Sequence, residues 1–338
     1  MMKAYYLTEA QRVEGREMAE PKPGAGEVLI AIRRVGICGS DIEYYRHFQC
    51  GAFIAKRPVV LGHEFAGVVA GVGSGVTAVK EGDRIGVDPA MPCGQCDFCR
   101  TGRYNLCRNM RFMGSASVDP HMDGGMREFV VMPESNCLPL PDSLSWDEAA
   151  ALEPLTIALH ACARAGSVVG KSALILGGGT IGQLVLLTLR AFGVGAVTVA
   201  DPVPERREQA LALGASHAFD PTSRDVPGEM ELVFEASGAP AAVTAAVHAA
   251  RRGGTVVYIG TITRDVSMPV NLIMVKELNV LGSFRTAHRF PVALTLMSDR
   301  RIDVRPLITH HFPIADVNQA FAVTALPEAV KVQLTVGE

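Results

Sequence analysis

The chain carries no excess of positive charge. Its 32 Lys and Arg stand against 35 Asp and Glu, a formal net charge of −3, and the basic residues are scattered. Nucleic-acid binding relies on a concentrated basic face, so that class of partner is set aside. Long apolar runs are missing too. The most hydrophobic stretch, 173–189, is broken by Gly177, Gly178, Gly179 and Gly182, whereas a membrane helix needs about 20 mostly uninterrupted apolar residues. The opening "MMKAYYLTEAQRVEG" has no apolar segment followed by a cleavage site, which predicts no signal peptide. No internal repeat, low-complexity tract or disordered tail is evident. These absences predict a cytoplasmic protein without membrane or nucleic-acid partners.

Cysteine is sparse, with eight residues in 338. Cys38, Cys50, Cys137 and Cys162 lie far apart in sequence, unlike the dense framework of a small secreted domain. The other four fall inside "PCGQCDFCRTGRYNLC" as Cys93, Cys96, Cys99 and Cys107, a C-x₂-C-x₂-C-x₇-C run. Thiolates at such spacing converge on one ion from a tight loop, and four of them make a closed tetrahedral zinc site. Bacterial iron–sulfur runs use a shorter last interval followed by proline, so zinc is the better match. A closed site has no position left for substrate. This cluster is therefore expected to staple a loop and to carry no chemistry.

The length fits roughly two domains, and 48% hydrophobic residues suffice for two cores. Residues 1–150 are rich in glycine, proline and β-branched residues, with "EVLIAIRRVGICG" and "EFAGVVAGVGSGV" reading as strands. From 151 to 285 the pattern alternates. Strands are expected over 172–176, 196–200, 231–235 and 255–260, with helices over 181–192, 205–213 and 240–252. Apolar strands alternating with helices imply parallel βαβ units and a doubly wound α/β sheet. A further helix is expected over "SWDEAAALEPLTIALHACARAG". Residues 286–338 return to mixed texture and are expected to complete the first domain.

"LILGGGTIG" places Gly177-x-Gly179-x-x-Gly182 between a strand and a helix, with Thr180 and Ile181 opening the helix. Glycines there let backbone amides approach a pyrophosphate, and the helix N-terminus offers it unpaired N–H groups. Asp201 follows nineteen residues beyond Gly182. A carboxylate there can accept from both hydroxyls of an adenosine ribose and would repel a 2′-phosphate, so NAD is expected over NADP. Arg206, five residues on, can lie along the adenine or weaken that discrimination.

A second metal site is suggested by scattered fragments. "GICGSD" supplies Cys38, "LGHEFAG" supplies His63 and Glu64, and "ALEPL" supplies Glu153. One thiolate, one imidazole and a carboxylate leave a coordination position open, as catalytic zinc sites do. Taken singly, each residue also reads as a packed core residue.

Together "GICGSD", "GHEFAG", "GDRIGVDP", the four-cysteine loop, "EPLTIALHA", "LGGGTIG" and "AD" followed by Arg206 resemble the zinc-containing medium-chain dehydrogenases/reductases. The likeness spans essentially the whole chain. It implies a GroES-like, mainly β catalytic domain (1–150, completed by 286–338), a Rossmann dinucleotide-binding domain (151–285), and two zincs per chain. It further implies an active site between the domains and a homo-oligomer, tetramer or dimer. Within the family the chain resembles the polyol dehydrogenases, of the sorbitol and L-idonate 5-dehydrogenase type. Carried over by position, Cys38, His63 and Glu64 would bind the catalytic zinc, with Glu153 as a ligand or as the holder of its water. Ser40 would begin a proton path, and Ser40, Tyr44, Phe112 and Arg285 would face the substrate. Many relatives carry a relay histidine five residues after the zinc cysteine, where this chain has Glu43. For a sugar-acid substrate, Arg285 and Arg111 are the candidate cations, with His121 behind them. The implied reaction is oxidation of a secondary alcohol of a polyol or sugar acid with transfer of hydride to NAD. The alternatives are an L-threonine 3-dehydrogenase-like enzyme and an inert zinc-binding relative with a structural or regulatory role.

Overall fold

The computed structural model describes residues 1–223 and 225–337. The chain divides into two compact units. The first comprises Met1–Glu153, Phe290–Arg300 and Val304–Glu338, and the second Pro154–Arg289 and Arg301–Asp303. The cuts fall a few residues beyond the expected 150 and 285.

In the first unit the strand Glu27–Gly36 is the spine. Its apolar positions are buried almost without interruption, and it pairs with neighbours on both sides. Glu64–Val72 and Lys331–Thr335 run antiparallel to it, so the last strand of the chain lies against one of the first. The full sheet runs Cys137–Pro139, Arg84–Val87, Glu64–Val72, Glu27–Gly36, Lys331–Thr335 and Ile308–Pro313, with Phe129–Pro133 also on the spine. Close approach of the two central strands depends on Gly67, where an added Cβ would fall on the carbonyl oxygen of Ala31. Phe65, Ile30, Ile32, Ile85 and Met132 fill the core beneath, each at most 1% exposed. Burial of each such side chain stabilises by about 1.5–3 kcal/mol.

The second unit is built on a six-stranded parallel sheet. In space its strands run His217–Phe219, Ala196–Ala200, Ser172–Leu176, Met230–Glu235, Ala250–Tyr258 and Asn279–Gly282. Numbered along the chain this is 3-2-1-4-5-6, the doubly wound order, and the reversal lies between Ser172–Leu176 and Met230–Glu235. The helices Thr180–Ala191, Pro204–Ala212 and Pro240–Ala249 connect successive strands.

Two expected helices are corrected. The one expected over 240–252 stops at Ala249, because Ala250 pairs with Met230 and begins a strand, and Gly253 takes φ +68°. The alanine-rich segment looks helical locally; the neighbouring strand captures its end. The helix expected across 145–166 is two, Trp146–Ala150 and Leu152–Arg164. Pro154 then stands in the first turn of the second, where its missing N–H costs nothing. The helix Val270–Val275 and the edge strand Asn279–Gly282 were not anticipated.

Candidate active site

Three of the four residues expected at the catalytic metal come from two neighbouring strand ends, and the fourth, Glu153, from the helix Leu152–Arg164. Cys38 follows Glu27–Gly36 and is the N-cap of the helix Gly39–His47. His63 precedes, and Glu64 begins, the antiparallel partner Glu64–Val72. The fold brings one ligand atom from each of Cys38, His63 and Glu64 within 4.8 Å of the others. Glu153 stands outside that set but is buried beside it and feels the charges of all three.

Electrostatics show what such crowding costs. Burial pushes the Cys38 thiol up to about 12, and the Glu64 carboxylate adds to the effect while Lys331 and a hydrogen bond from Ser40 oppose it. Burial likewise pushes Glu153 up to about 8, with Glu64 and Cys38 reinforcing it and His63 and Lys331 opposing it. Without a cation the pocket holds on to protons. A divalent ion displaces such protons on binding, and a soft thiolate, an imidazole and a carboxylate suit zinc with one position open.

Two residues that sequence reasoning missed assemble this set. Asp41 is fully buried. Its Oδ2 accepts the Cys38 N–H at 2.9 Å, its Oδ1 accepts the Gly62 N–H at 3.1 Å, and Oδ1 lies 3.7 Å from His63 Nδ1. One carboxylate thus ties both ligand-bearing loops and faces the histidine ring, as the outer partners of metal-bound histidines do. Burial raises its pKa, against the pull of His63 and the two N–H groups. Lys331, on the strand Lys331–Thr335, is buried with its ammonium on Glu64 Oε2 at 2.6 Å, Oε1 at 2.9 Å and the Ile37 carbonyl at 3.0 Å. A signal for Asp41 was present in "GICGSD", since an acidic residue at N3 of a helix reaches back to its N-cap. No local signal marked Lys331.

Other expected residues are placed as follows. Ser40 sits in the first turn of Gly39–His47 and bonds the Cys38 sulfur. Glu43 is half-buried on the same helix. The Phe112 ring lies 5.4 Å from that of His63, tilted by 59°. Tyr44 is buried, and its hydroxyl accepts the Ala116 N–H at 3.0 Å, so it holds the 113–122 loop. Arg111 donates to Met122 Sδ, and His121 accepts the Lys56 N–H. Arg285, in the second unit, takes φ +53° and sets its guanidinium 4.8 Å from the Phe284 ring.

Two cysteines of the four-cysteine lobe are set up as thiolates, while burial and the neighbouring sulfurs push Cys99 up to about 12. All eight cysteines are free, and the sulfurs of Cys93, Cys96, Cys99 and Cys107 lie within 4.8 Å of one another. The N–H groups of Arg108 and Cys99 pull Cys96 down to about 6, and those of Gln95 and Cys96 lower Cys93. The Cys93 N–H also points at Cys107 Sγ, 3.2 Å away. Amides aimed at sulfur stabilise the ionised form that a metal needs.

In the second unit the glycine loop fits a dinucleotide phosphate. Gly177 takes φ +104°, and a Cβ there would meet the Ser237 backbone nitrogen at 2.8 Å. At Gly182 it would fall on the Gly177 carbonyl oxygen, whereas the space around Gly179 is open. The loop is therefore packed on its inner side and free where the helix Thr180–Ala191 begins. Asp201, 4% exposed, accepts the Gly178 N–H at 2.7 Å and the Val203 N–H at 2.8 Å. Arg206 Nη1 lies 3.9 Å from the same carboxylate.

Among the described residues no helix is long and apolar enough to cross a membrane. Residues 24–142 match the alcohol dehydrogenase GroES-like domain, and residues 180–299 match the zinc-binding dehydrogenase family. Sorbitol dehydrogenase from Gallus gallus is 37% identical over 96% of this chain and 92% of its own length. The structure of L-idonate 5-dehydrogenase from Escherichia coli K-12 superposes with a TM-score of 0.94 at 31% identity, covering 99% of this chain and 98% of that one. A Sinorhizobium meliloti 1021 chain solved bound to NADP superposes with a TM-score of 0.91 at 32% identity, covering 99% of each.

Proposed function

The chain belongs to the zinc-containing medium-chain dehydrogenases, polyol branch, and from that premise we propose that it oxidises a secondary alcohol of a polyol or sugar acid with NAD as hydride acceptor. The observation that carries this reading is the convergence of Cys38, His63 and Glu64 within 4.8 Å, a donor set that leaves a coordination position for an alcohol. Zinc there would supply a Lewis acid for the alcohol oxygen, and NAD the hydride acceptor.

The protein's own groups do the rest. Cys38, His63 and Glu64 hold the catalytic metal, and Asp41 orients the first two. Glu153 lies beside them as a further ligand or the holder of water. Ser40 Oγ, once its hydroxyl turns from the Cys38 sulfur, accepts the alcohol proton as it passes its own toward solvent, with Glu43 as a later carrier in place of the usual histidine. Phe112, whose ring is tilted against that of His63, forms an apolar wall for the carbon chain. Tyr44 and Arg285 complete the substrate contacts, Arg285 as the partner for a carboxylate. Cys93, Cys96, Cys99 and Cys107 hold a structural zinc. Gly177, Gly179, Thr180, Ile181 and Gly182 receive the pyrophosphate of NAD. The buried Asp201 favours NAD through its ribose hydroxyls, and Arg206 beside it tempers the exclusion of NADP. The working form is a homo-oligomer, as in the family.

The test is NADH formation with hexitols, L-idonate and L-threonine, each run with NAD and with NADP, before and after chelation. Turnover of a polyol or L-idonate with NAD, stopped by a chelator, is the expected result. Reaction with L-threonine alone would overturn the substrate class. Silence with every substrate, in protein holding two zincs, would favour the inert relative.

A further inference from the structure

We propose that Lys331 is a positioning residue that restrains Glu64, so that the catalytic metal receives no more than one of its carboxylate oxygens. The inference rests on the reading that Cys38, His63 and Glu64 hold that metal.

Lys331 is 3% exposed, and long charged side chains are almost never buried without a partner. Its ammonium carries three protons, and three acceptors take them: Ile37 O at 3.0 Å, Glu64 Oε1 at 2.9 Å and Glu64 Oε2 at 2.6 Å. Both oxygens of the carboxylate are thus engaged by one cation. Oε2 also fills the space over Gly36, where an added Cβ would fall on it. Glu64 is itself 1% exposed, so water cannot replace either contact. Closing both oxygens onto a metal would require Glu64 to abandon two charge-assisted hydrogen bonds and leave a buried ammonium with only the Ile37 carbonyl and no counter-charge. Lys331 therefore keeps one coordination position available to substrate and weakens Glu64 as a donor, which preserves the acidity of the metal. The residue lies 267 positions from Glu64, on the strand that brings the C-terminal segment back to the first unit. Closure of the fold and tuning of the site are one event.

The experiment compares full-length wild type with Lys331→Met and Lys331→Arg, read by metal release to a chelator and by visible absorption after Co²⁺ substitution. Wild type is expected to give the intense bands of a four-coordinate site. Lys331→Met should keep both metals and release the catalytic one more slowly, because the freed Glu64 can close on it with both oxygens. Its cobalt bands should weaken as Glu64 closes with both oxygens, and kcat should fall about tenfold with KM less affected. Lys331→Arg should stay near wild type, because a guanidinium can engage both carboxylate oxygens. Release from the four-cysteine lobe is the internal control. A Lys331→Met spectrum and release rate equal to wild type would overturn the proposal, as would loss of the catalytic metal from that variant. If Lys331→Met does not fold, weak five-coordinate bands in wild type overturn it equally. Wild type that binds a single metal would instead sink the underlying metal reading.

Discussion

Asp41 offers the sharpest test of how the candidate metal site is assembled. Its carboxylate accepts the N–H groups of Cys38 and Gly62 and faces His63 Nδ1, with no exposure to solvent. Asp41→Ala leaves two buried N–H donors unsatisfied. At about 1–3 kcal/mol each, the loss is about 2–6 kcal/mol, a large part of the roughly 5–15 kcal/mol that stabilises an ordinary domain. Asp41→Asn keeps one acceptor oxygen and turns an NH₂ toward the other donor, so about half that loss is expected. Removing the charge that faces His63 should also weaken the catalytic metal about 10–100-fold. Trp146 is the only tryptophan and lies in the first unit, so its fluorescence during urea unfolding of the metal-free protein follows the unit concerned. Chelator competition measures the metal. The expected order of stability is wild type, Asn, then Ala. The reasoning fails if Asp41→Ala unfolds within about 0.5 kcal/mol of wild type and binds zinc equally well.

Burial pushes Asp88 from the ordinary 3.8 up to about 6, against a hydrogen bond from the Ala90 N–H. Between those values the folded protein keeps a proton that the unfolded chain has lost, so stability falls as pH rises through the window, by about 3 kcal/mol. Asp88→Asn should therefore stabilise the first unit near pH 7 by up to about 3 kcal/mol and leave it unchanged near pH 4; equal gains at both would refute the assignment. Gly36→Ala places a methyl on Glu64 Oε2, and should cost one of the two proposed zincs and at least about a hundredfold in turnover, by metal analysis and initial rates. Gly182→Ala places a methyl on the Gly177 carbonyl oxygen, and should weaken NADH binding at least about tenfold with zinc content unchanged, by fluorescence titration.

Much of this protein is local, and what is local was legible in its residues. The βαβ alternation shows in runs of five or six residues because strand and helix periodicity are properties of short segments. The strand 196–200 is found at its expected ends. The glycine loop and the four-cysteine lobe each lie within sixteen residues, so spacing alone restricts what they can bind. Failures began where a distant neighbour decides the outcome. The segment after Ala249 left its helix because Met230 offered a strand to pair with.

The catalytic set divides along the same line. Sequence by itself determined the types of donor available, a thiolate, an imidazole and a carboxylate, since chemistry belongs to the residue. Only the tertiary structure decided that these three atoms converge, that Asp41 joins their loops, and that Lys331 neutralises Glu64 from the far end of the chain. The physical reason is burial. A carboxylate or an ammonium tolerates removal from water only beside a partner, and that partner is chosen by how strands pair in space, at separations no short motif can encode.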